Sequence, residues 1–241
     1  MMIVLFTDYG NNGPYVGLVQ NVLHQQAPEL TVISLFNDIP RQNAKAAAYL
    51  LAACVEEFPA GTIFFAVVDP GVGSFVDDPV ILKIDDHYFV GPDNGLFDMV
   101  MRRARQSSCH RISWKPERLS NTFHGRDLYA PVCSMLANGE QVPGEKIHWE
   151  DRHNWPDDLP EVIYIDGFGN CMTGMRKSFL KKHAVIHINQ QEIKYAETFS
   201  GVSAGEIFWY FNSLGLVELA VNKGSAADYL QIKTGQTLKI F

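Results

Sequence analysis

The sequence has no excess of basic residues, since 20 lysines and arginines stand against 27 aspartates and glutamates, a net charge of −7. Neutralising nucleic-acid phosphates requires a basic face, and the chain has no dense basic cluster, so we expect no nucleic-acid partner. No apolar run approaches the roughly 20 residues that cross a bilayer. The opening segment MMIVLF is too short for a secretory leader. We therefore expect a cytoplasmic protein that has no membrane partner.

Cysteine is scarce, and several well-known catalytic motifs are absent. The four cysteines form no CxxC pair and lie in apolar or mixed segments, which favours buried free thiols over a zinc site or disulfides. The chain also lacks a GxSxG nucleophile elbow, a GxxxxGKS phosphate loop and an HExxH metal helix. The run Gly71-Val72-Gly73 is not followed by the third glycine of a dinucleotide fingerprint. These absences argue against serine hydrolases, P-loop enzymes and zinc metalloproteases.

Alternating strand and helix patterns predict an α/β domain with a mostly parallel sheet over residues 1–145. Apolar or β-branched runs predict strands at 2–6, 32–36, 62–68, 80–84 and 87–90. Helical spacing or composition predicts helices at 14–27, 43–58, 96–105 and 127–136. The run at 62–68 is apolar throughout, as expected for a strand covered on both faces of a parallel sheet.

A change in composition divides the chain after this domain. Residues 146–160 belong to a polar, proline-containing stretch that we interpret as a linker. Beyond it, residues 161–241 carry short candidate strands punctuated by glycine and asparagine, at 162–165, 185–188, 192–196, 216–221 and 238–241. This pattern predicts a smaller all-β domain, which we interpret as a barrel.

Polar turns follow several predicted strands of the first domain. Asp8, Asp69 and Asp93 come directly after strands, and the turn 122–127 adds His124, an arginine and an aspartate. Ligands of open α/β sheets bind at the carboxyl ends of the strands, so these turns are candidates for one site. Each aspartate alone is also compatible with simple turn or helix capping. Metal binding by these carboxylates and the histidine stays open as an alternative.

Eight segments in order along nearly the whole chain resemble the S-adenosyl-L-methionine (SAM)-dependent hydrolases, chlorinases and fluorinases, which attack the 5′ carbon of SAM. The segments are TDYG (7–10), NDIPRQN (37–43), VVDPGVG (67–73), GPDNG (91–95), TFHGRDLYAP (122–131), DGFGN (166–170), NSLG (212–215) and ELAVNKGSAA (218–227). The resemblance implies an α/β domain, a C-terminal β-barrel and a homotrimer. In that family the ligand lies between the N-terminal domain of one subunit and the C-terminal domain of the next.

The resemblance also assigns roles to individual positions. Asp8 would hold the ribose hydroxyls. Asp166 and Ser213 would hold the amino and carboxylate groups of the methionine part. Phe168 and Asn170 would contact the adenine. SAM would be the substrate, with no cofactor and no bound metal.

The nucleophile pocket distinguishes the branches of this family. Halide-using members lack the aspartate and histidine that stand here as Asp69 and His124, so the chain resembles the water-using branch. A carboxylate and an imidazole can orient a water molecule and accept its proton. That branch also has an arginine shortly after the DPGVG turn, whereas residues 74–79 here read SFVDDP, and Gly174 replaces a family asparagine. Arg41 is our candidate for the missing cation.

The favoured hypothesis is a SAM hydrolase with Asp69, His124 and Arg41 as catalytic residues. One alternative is a halogenase on the same scaffold, which the missing arginine keeps open. Another, of a different class, is a SAM- or adenosine-binding protein without turnover. Product analysis distinguishes the three.

Overall fold

The computed structural model describes residues 1–74 and 76–241, which divide into two compact units. The first unit contains residues 1–52 and 58–153, and the second contains residues 53–57 and 154–241. Each unit has a hydrophobic core of its own. Among the described residues, no helix is long and apolar enough to cross a membrane.

The first unit is built on a seven-stranded mixed sheet with the strand order β2-β1-β3-β5-β4-β6-β7. The strands are β1 (Met2–Thr7), β2 (Thr31–Phe36), β3 (Ile63–Val67), β4 (Pro79–Ile84), β5 (His87–Pro92), β6 (Ser107–Ile112) and β7 (Gly144–Ile147). Strands β2, β1, β3 and β5 pair in parallel, whereas β5, β4, β6 and β7 pair antiparallel.

The expectation of a mostly parallel sheet is therefore corrected to a mixed one, in which only half of the pairings are parallel. The physical reason is the short connection between β4 and β5. Ile84 pairs with His87 across the two-residue turn Asp85-Asp86, and so short a turn joins antiparallel strands only. Asp85 adopts the left-handed conformation that such a turn requires, with φ of 48°.

Helices accompany this sheet and complete its core. They are α1 (Tyr15–Gln26), α2 (Ala44–Cys54), which continues into a 3-10 turn (Val55–Glu57), α3 (Asp98–Arg103) and α4 (Ala130–Ala137), which follows a π-helical turn (Gly125–Tyr129). Val19 and Leu23 lie four residues apart on one face of α1 and are fully buried. Helix α1 packs against α4, and α4 also contacts β3.

The position of β3 in this sheet explains where polar groups gather. All five residues of β3 are buried, as its apolar run predicts, and the strand lies between β1 and β5. Thr7 at the end of β1 pairs with Val67 at the end of β3. The turns that carry Asp8 and Asp69 therefore follow neighbouring parallel strands and lie at the same end of the sheet.

The second unit contains two separate antiparallel sheets. Its elements are β8 (Leu159–Ile165), β9 (Cys171–Arg176), β10 (Ile186–Ile188), β11 (Gln191–Ile193), β12 (Ile207–Phe211), β13 (Leu216–Val221), α5 (Ala226–Leu230) and β14 (Lys239–Ile240), with a 3-10 turn at Phe199–Gly201. One sheet has the order β12-β13-β9-β8 and the other β11-β10-β14. The all-β character is confirmed apart from the short α5, while closure into a single barrel is not.

Part of the polar stretch between the domains has regular structure. Strand β7 pairs with β6 through Cys109 and Ile147 at one end and Ile112 and Gly144 at the other. Arg152 donates a hydrogen bond to Asp93 at 2.9 Å. The first unit accordingly continues to residue 153.

Candidate active site

Asp8 lies in the turn after β1 and is held by the backbone of another loop. The N–H of Gln42 donates to Asp8 Oδ2 at 2.9 Å. Burial raises the pKa of Asp8 above its usual value, and the Gln42 hydrogen bond and the charge of Arg41 oppose this rise. Asp8 and Arg41 line a cavity of about 360 Å³ between the two loops. Arg41, our candidate for the missing cation, therefore lies near Asp8.

Asp69, in the loop after β3, lies close enough to His124 for the charge of the histidine to affect the pKa of its carboxylate. The Asp69 carboxylate accepts a hydrogen bond from the N–H of Gly71 at 3.1 Å. Burial raises the pKa of Asp69 above its usual value, His124 opposes the rise, and the negative charges of Asp77 and Asp8 add to it. The raised pKa makes this carboxylate a stronger base than an exposed aspartate, so it is suited to accept a proton from water.

Two glycines allow the turn that carries His124 to approach the loops that carry Asp69 and Asp8. Gly73 has φ of +80°, and a Cβ atom there would lie 2.2 Å from the backbone oxygen of Asn121. Gly125 follows His124, and a Cβ atom there would lie 2.0 Å from the Tyr9 hydroxyl oxygen. Larger residues cannot occupy either position without displacing a neighbour. Gly73 therefore permits the contact with the Asp69 loop, and Gly125 permits the contact with the turn that carries Asp8.

The other charged residues of the 122–127 turn pair with each other. Arg126 Nε donates to Asp127 Oδ1 at 2.6 Å, and its guanidinium group lies 5.5 Å from the centre of the Phe123 ring. Asp127 also accepts a hydrogen bond from the N–H of Ser120 at 2.8 Å. This pairing lowers the pKa of Asp127. Arg126 and Asp127 thus stabilise the turn that presents His124.

Asp77 lies near Asp69 and belongs to a second cluster of charged residues. Burial raises the pKa of Asp77, and the positive charge of Arg152 lowers it. Arg152 also forms an ion pair with Asp93 at 2.9 Å. From the sequence we grouped Asp93 with Asp8 and Asp69, but it belongs to the cluster of Asp77 and Arg152. Residues 74–79, where the family arginine is missing, include Asp77 of this cluster. Phe75 in this segment lies outside the described part of the chain.

The second unit contains a cavity of about 710 Å³. Its lining residues are Asp166, Phe168, Asn170, Met172, Phe199, Tyr210, Asn212, Ser213, Glu218, Val221, Lys223 and Gly224. All four residues that the sequence proposed for substrate binding in this half of the chain are among them. They come from two turns, DGFGN after β8 and NSLG after β12.

Asp166 organises the first of these turns. Its Oδ1 accepts hydrogen bonds from the N–H groups of Phe168 and Asn170, both at 2.9 Å, and its Oδ2 accepts one from Asn170 Nδ2 at 3.1 Å. Gly169 takes the left-handed conformation of the turn, with φ of +80°. The Phe168 ring is left 82% exposed. An exposed aromatic ring beside a cavity is a suitable stacking surface for a flat heterocycle.

Glu218 is a cavity residue that the sequence analysis missed. It is only 2% exposed, in strand β13. Tyr210 Oη donates to Glu218 Oε1 at 2.5 Å, and Asn212 Nδ2 donates to Oε2 at 2.7 Å. The sequence feature that could have revealed it is a single carboxylate within the otherwise apolar run Leu216–Val221.

Metal binding was the open alternative for the first-unit carboxylates. Within residues 1–74 and 76–241, no three histidine, cysteine, aspartate or glutamate side chains are grouped so that they could hold a metal ion. The four cysteines are buried free thiols.

Comparisons with known proteins agree with the arrangement of two units. Residues 3–145 match the model of the SAM hydroxide adenosyltransferase N-terminal domain, and residues 160–239 match that of its C-terminal domain. The chain is 32% identical to the (R)-S-adenosyl-L-methionine hydrolase of Thermus thermophilus, with 99% of this chain and 98% of that protein covered. It is 22% identical to a fluorinase from Actinopolyspora mzabensis, with 99% and 96% covered. A conserved protein from Thermotoga maritima has a crystal structure that superposes with a TM-score of 0.90 at 28% identity, covering 99% of both chains.

Proposed function

Because the chain belongs to the SAM hydroxide adenosyltransferase family, we propose that it hydrolyses S-adenosyl-L-methionine to adenosine and L-methionine. The observation that carries this proposal is the close approach of the Asp69 loop to the His124 loop at Gly73 and Asn121, with His124 near enough to affect the pKa of Asp69. SAM is the substrate, and the reaction uses water as its second reactant. The sulfonium group is already a good leaving group, so the protein's main tasks are to align the water and to remove its proton.

In the proposed mechanism, Asp69 and His124 orient one water molecule behind the 5′ carbon. The water oxygen forms a bond to that carbon as the carbon–sulfur bond breaks, and the electron pair of the broken bond goes to sulfur. The sulfur of the methionine product is then an uncharged thioether. Asp69 accepts the proton that the attacking water loses, a role that its raised pKa favours.

The roles of the other site residues are proposed from the resemblance to the family. Asp8 holds the ribose hydroxyls. Asp166 and Ser213 hold the methionine end, and Phe168 and Asn170 contact the adenine. Arg41 is proposed to supply positive charge in place of the missing family arginine, and its support is its position beside Asp8. If Arg41→Ala leaves turnover unchanged, this role is wrong.

We further propose a homotrimer of cytoplasmic location, in which each site joins the 1–145 domain of one subunit to the 161–241 domain of the next, with 146–160 between them. The support for composite sites is that the candidate catalytic pair and the cavity proposed for methionine and adenine belong to different units. The Phe168 side chain is also 82% exposed.

The experiment that tests the activity is incubation of the purified protein with SAM in buffers with and without chloride, followed by chromatography of the nucleosides. We expect adenosine at equal rates in both buffers. A 5′-chloro nucleoside that forms only with chloride would assign the protein to the halogenase branch instead. SAM that is bound but never converted would favour a binding protein without turnover.

A further inference from the structure

A buried carboxylate, Glu218, faces the second-unit cavity and has no role in the function proposed above. In strand β13, the alternate residues Val217 and Leu219, on either side of Glu218, belong to the hydrophobic core of the unit. Side chains alternate between the two faces of a strand, so Glu218 points to the other face. Its cross-strand partner is Tyr210, which also lines the cavity.

The hydrogen bonds around Glu218 fit an ionised carboxylate. Each of its oxygens accepts one hydrogen bond, from the Tyr210 hydroxyl and from the Asn212 amide respectively. Burial raises the pKa of Glu218, the two hydrogen bonds oppose this, and the charge of Asp166 raises it further. A cation in the cavity would relieve the repulsion between these two carboxylates.

Glu218 also fixes the turn that carries Ser213. Because Glu218 holds the Asn212 amide nitrogen, the amide oxygen of Asn212 points back into the turn. There it accepts hydrogen bonds from the N–H groups of Leu214 at 3.0 Å and Leu216 at 2.9 Å. The orientation of this turn is thus tied to the Glu218 carboxylate.

We propose that Glu218 acts together with Asp166, already assigned to the methionine end, to receive the α-ammonium group of the substrate, an inference that rests on the proposed function. The charged side chains that line the cavity are Asp166, Glu218 and Lys223. With both carboxylates ionised these sum to one negative charge, which complements the net positive charge of SAM. The ammonium group also brings three N–H donors to a site rich in oxygen acceptors.

The test is equilibrium binding of S-adenosylhomocysteine and adenosine, measured by calorimetry on wild type and Glu218→Gln. S-adenosylhomocysteine carries the ammonium group but no sulfonium, and adenosine carries neither. We expect the variant to lose about tenfold or more in affinity for S-adenosylhomocysteine and less than about twofold for adenosine. Glu192→Gln, an exposed site outside the cavity, is the matched control.

Equal losses for both ligands would reduce Glu218 to a structural residue and overturn the proposal, as would unchanged binding of S-adenosylhomocysteine. Glu218→Asp, which keeps the charge, should retain more of that binding than Glu218→Gln. If Glu218→Gln does not fold, Asp166→Asn decides with S-adenosylhomocysteine and its deaminated analogue. Equal affinity of this variant for the two ligands overturns the role of Glu218, and weaker binding of the analogue supports it. These binding results stand whether or not SAM is hydrolysed, so the two proposals fail separately.

Discussion

At the residue scale, the proposed reaction depends on the ionisation state of Asp69. A general base must be deprotonated, and burial raises the pKa of Asp69 above 3.8. We therefore expect kcat/KM to fall on acidification at a pH higher than an ordinary aspartate would give. The measurement is a pH–rate profile of adenosine formation in wild type, restricted to the range where the protein stays folded.

Replacing Asp69 with asparagine should separate chemistry from binding. Asp69→Asn keeps the shape of the side chain but removes the base, so adenosine formation should fall by about a hundredfold or more. Binding of S-adenosylhomocysteine should stay within about tenfold of wild type, because the change leaves the second-unit cavity intact. Asp86→Asn, in the exposed turn between β4 and β5, is the control. Equal losses in binding and turnover would make Asp69 a binding residue.

The contrast between Asp69 and Glu218 shows which site residues a sequence can reveal. Asp69 stands in a polar, glycine-rich turn after an apolar run, a context that suggests a ligand site. Glu218 stands inside a strand whose six residues are all buried. Its role depends on Tyr210 and Asn212, which approach it through the strand pairing and the turn geometry. Sequence patterns do not contain that information.

At the scale of elements, the site depends on contact between the loop after β3 and the loop before α4. Gly73 makes this contact, and the Asp69 loop is compact because Gly71 accepts hydrogen bonds from the N–H and the hydroxyl of Ser74 at 2.8 and 2.6 Å. Gly73→Ala should destabilise the fold by about 1 kcal/mol for its positive φ and by about 1–3 kcal/mol more for the clash with Asn121. The same displacement should lower kcat.

Gly61 provides a matched control for this substitution. It has φ of +82°, against +80° for Gly73, and nothing lies within 4 Å of an added Cβ atom. Gly61→Ala should therefore show the backbone effect of about 1 kcal/mol without the clash and without a change in kcat. Urea unfolding and steady-state kinetics measure both quantities. Equal behaviour of the two variants would refute the proposed role of the loop contact.

The elements themselves were predictable where they bury a continuous apolar face. Strands β1, β2, β3 and β13 follow from their apolar runs, and α1 follows from its helical spacing. Strands β6 and β7 did not, because their sequences SSCHRI and GEKI are largely polar. They pair only with each other and, through β6, with β4. Strands β6 and β7 are separated by more than 30 residues of chain, so their pairing leaves no local sequence pattern.

At the scale of the whole molecule, the arrangement proposed for the family predicts that two inactive variants can restore each other. Asp69→Asn disables the site half in the 1–145 domain, and Asp166→Ala disables the half in the 161–241 domain. If each site joins halves from two subunits, a mixed trimer contains sites whose halves both come from unaltered domains. If each site lies within one chain, no intact site can form.

Random assembly fixes the size of the effect. A site is intact when its first-domain half comes from an Asp166→Ala chain and its second-domain half from an Asp69→Asn chain. About one quarter of all sites are then intact after random assembly from equal amounts, and about one third in the sample purified through both tags, which keeps only mixed trimers. Co-expression of the two variants with different tags, purification through both tags and assay of adenosine formation measures this. Sedimentation of the mixed sample checks for three 27.0 kDa chains. Activity no higher than that of either variant alone, from a sample shown to be mixed, would place each site within a single chain.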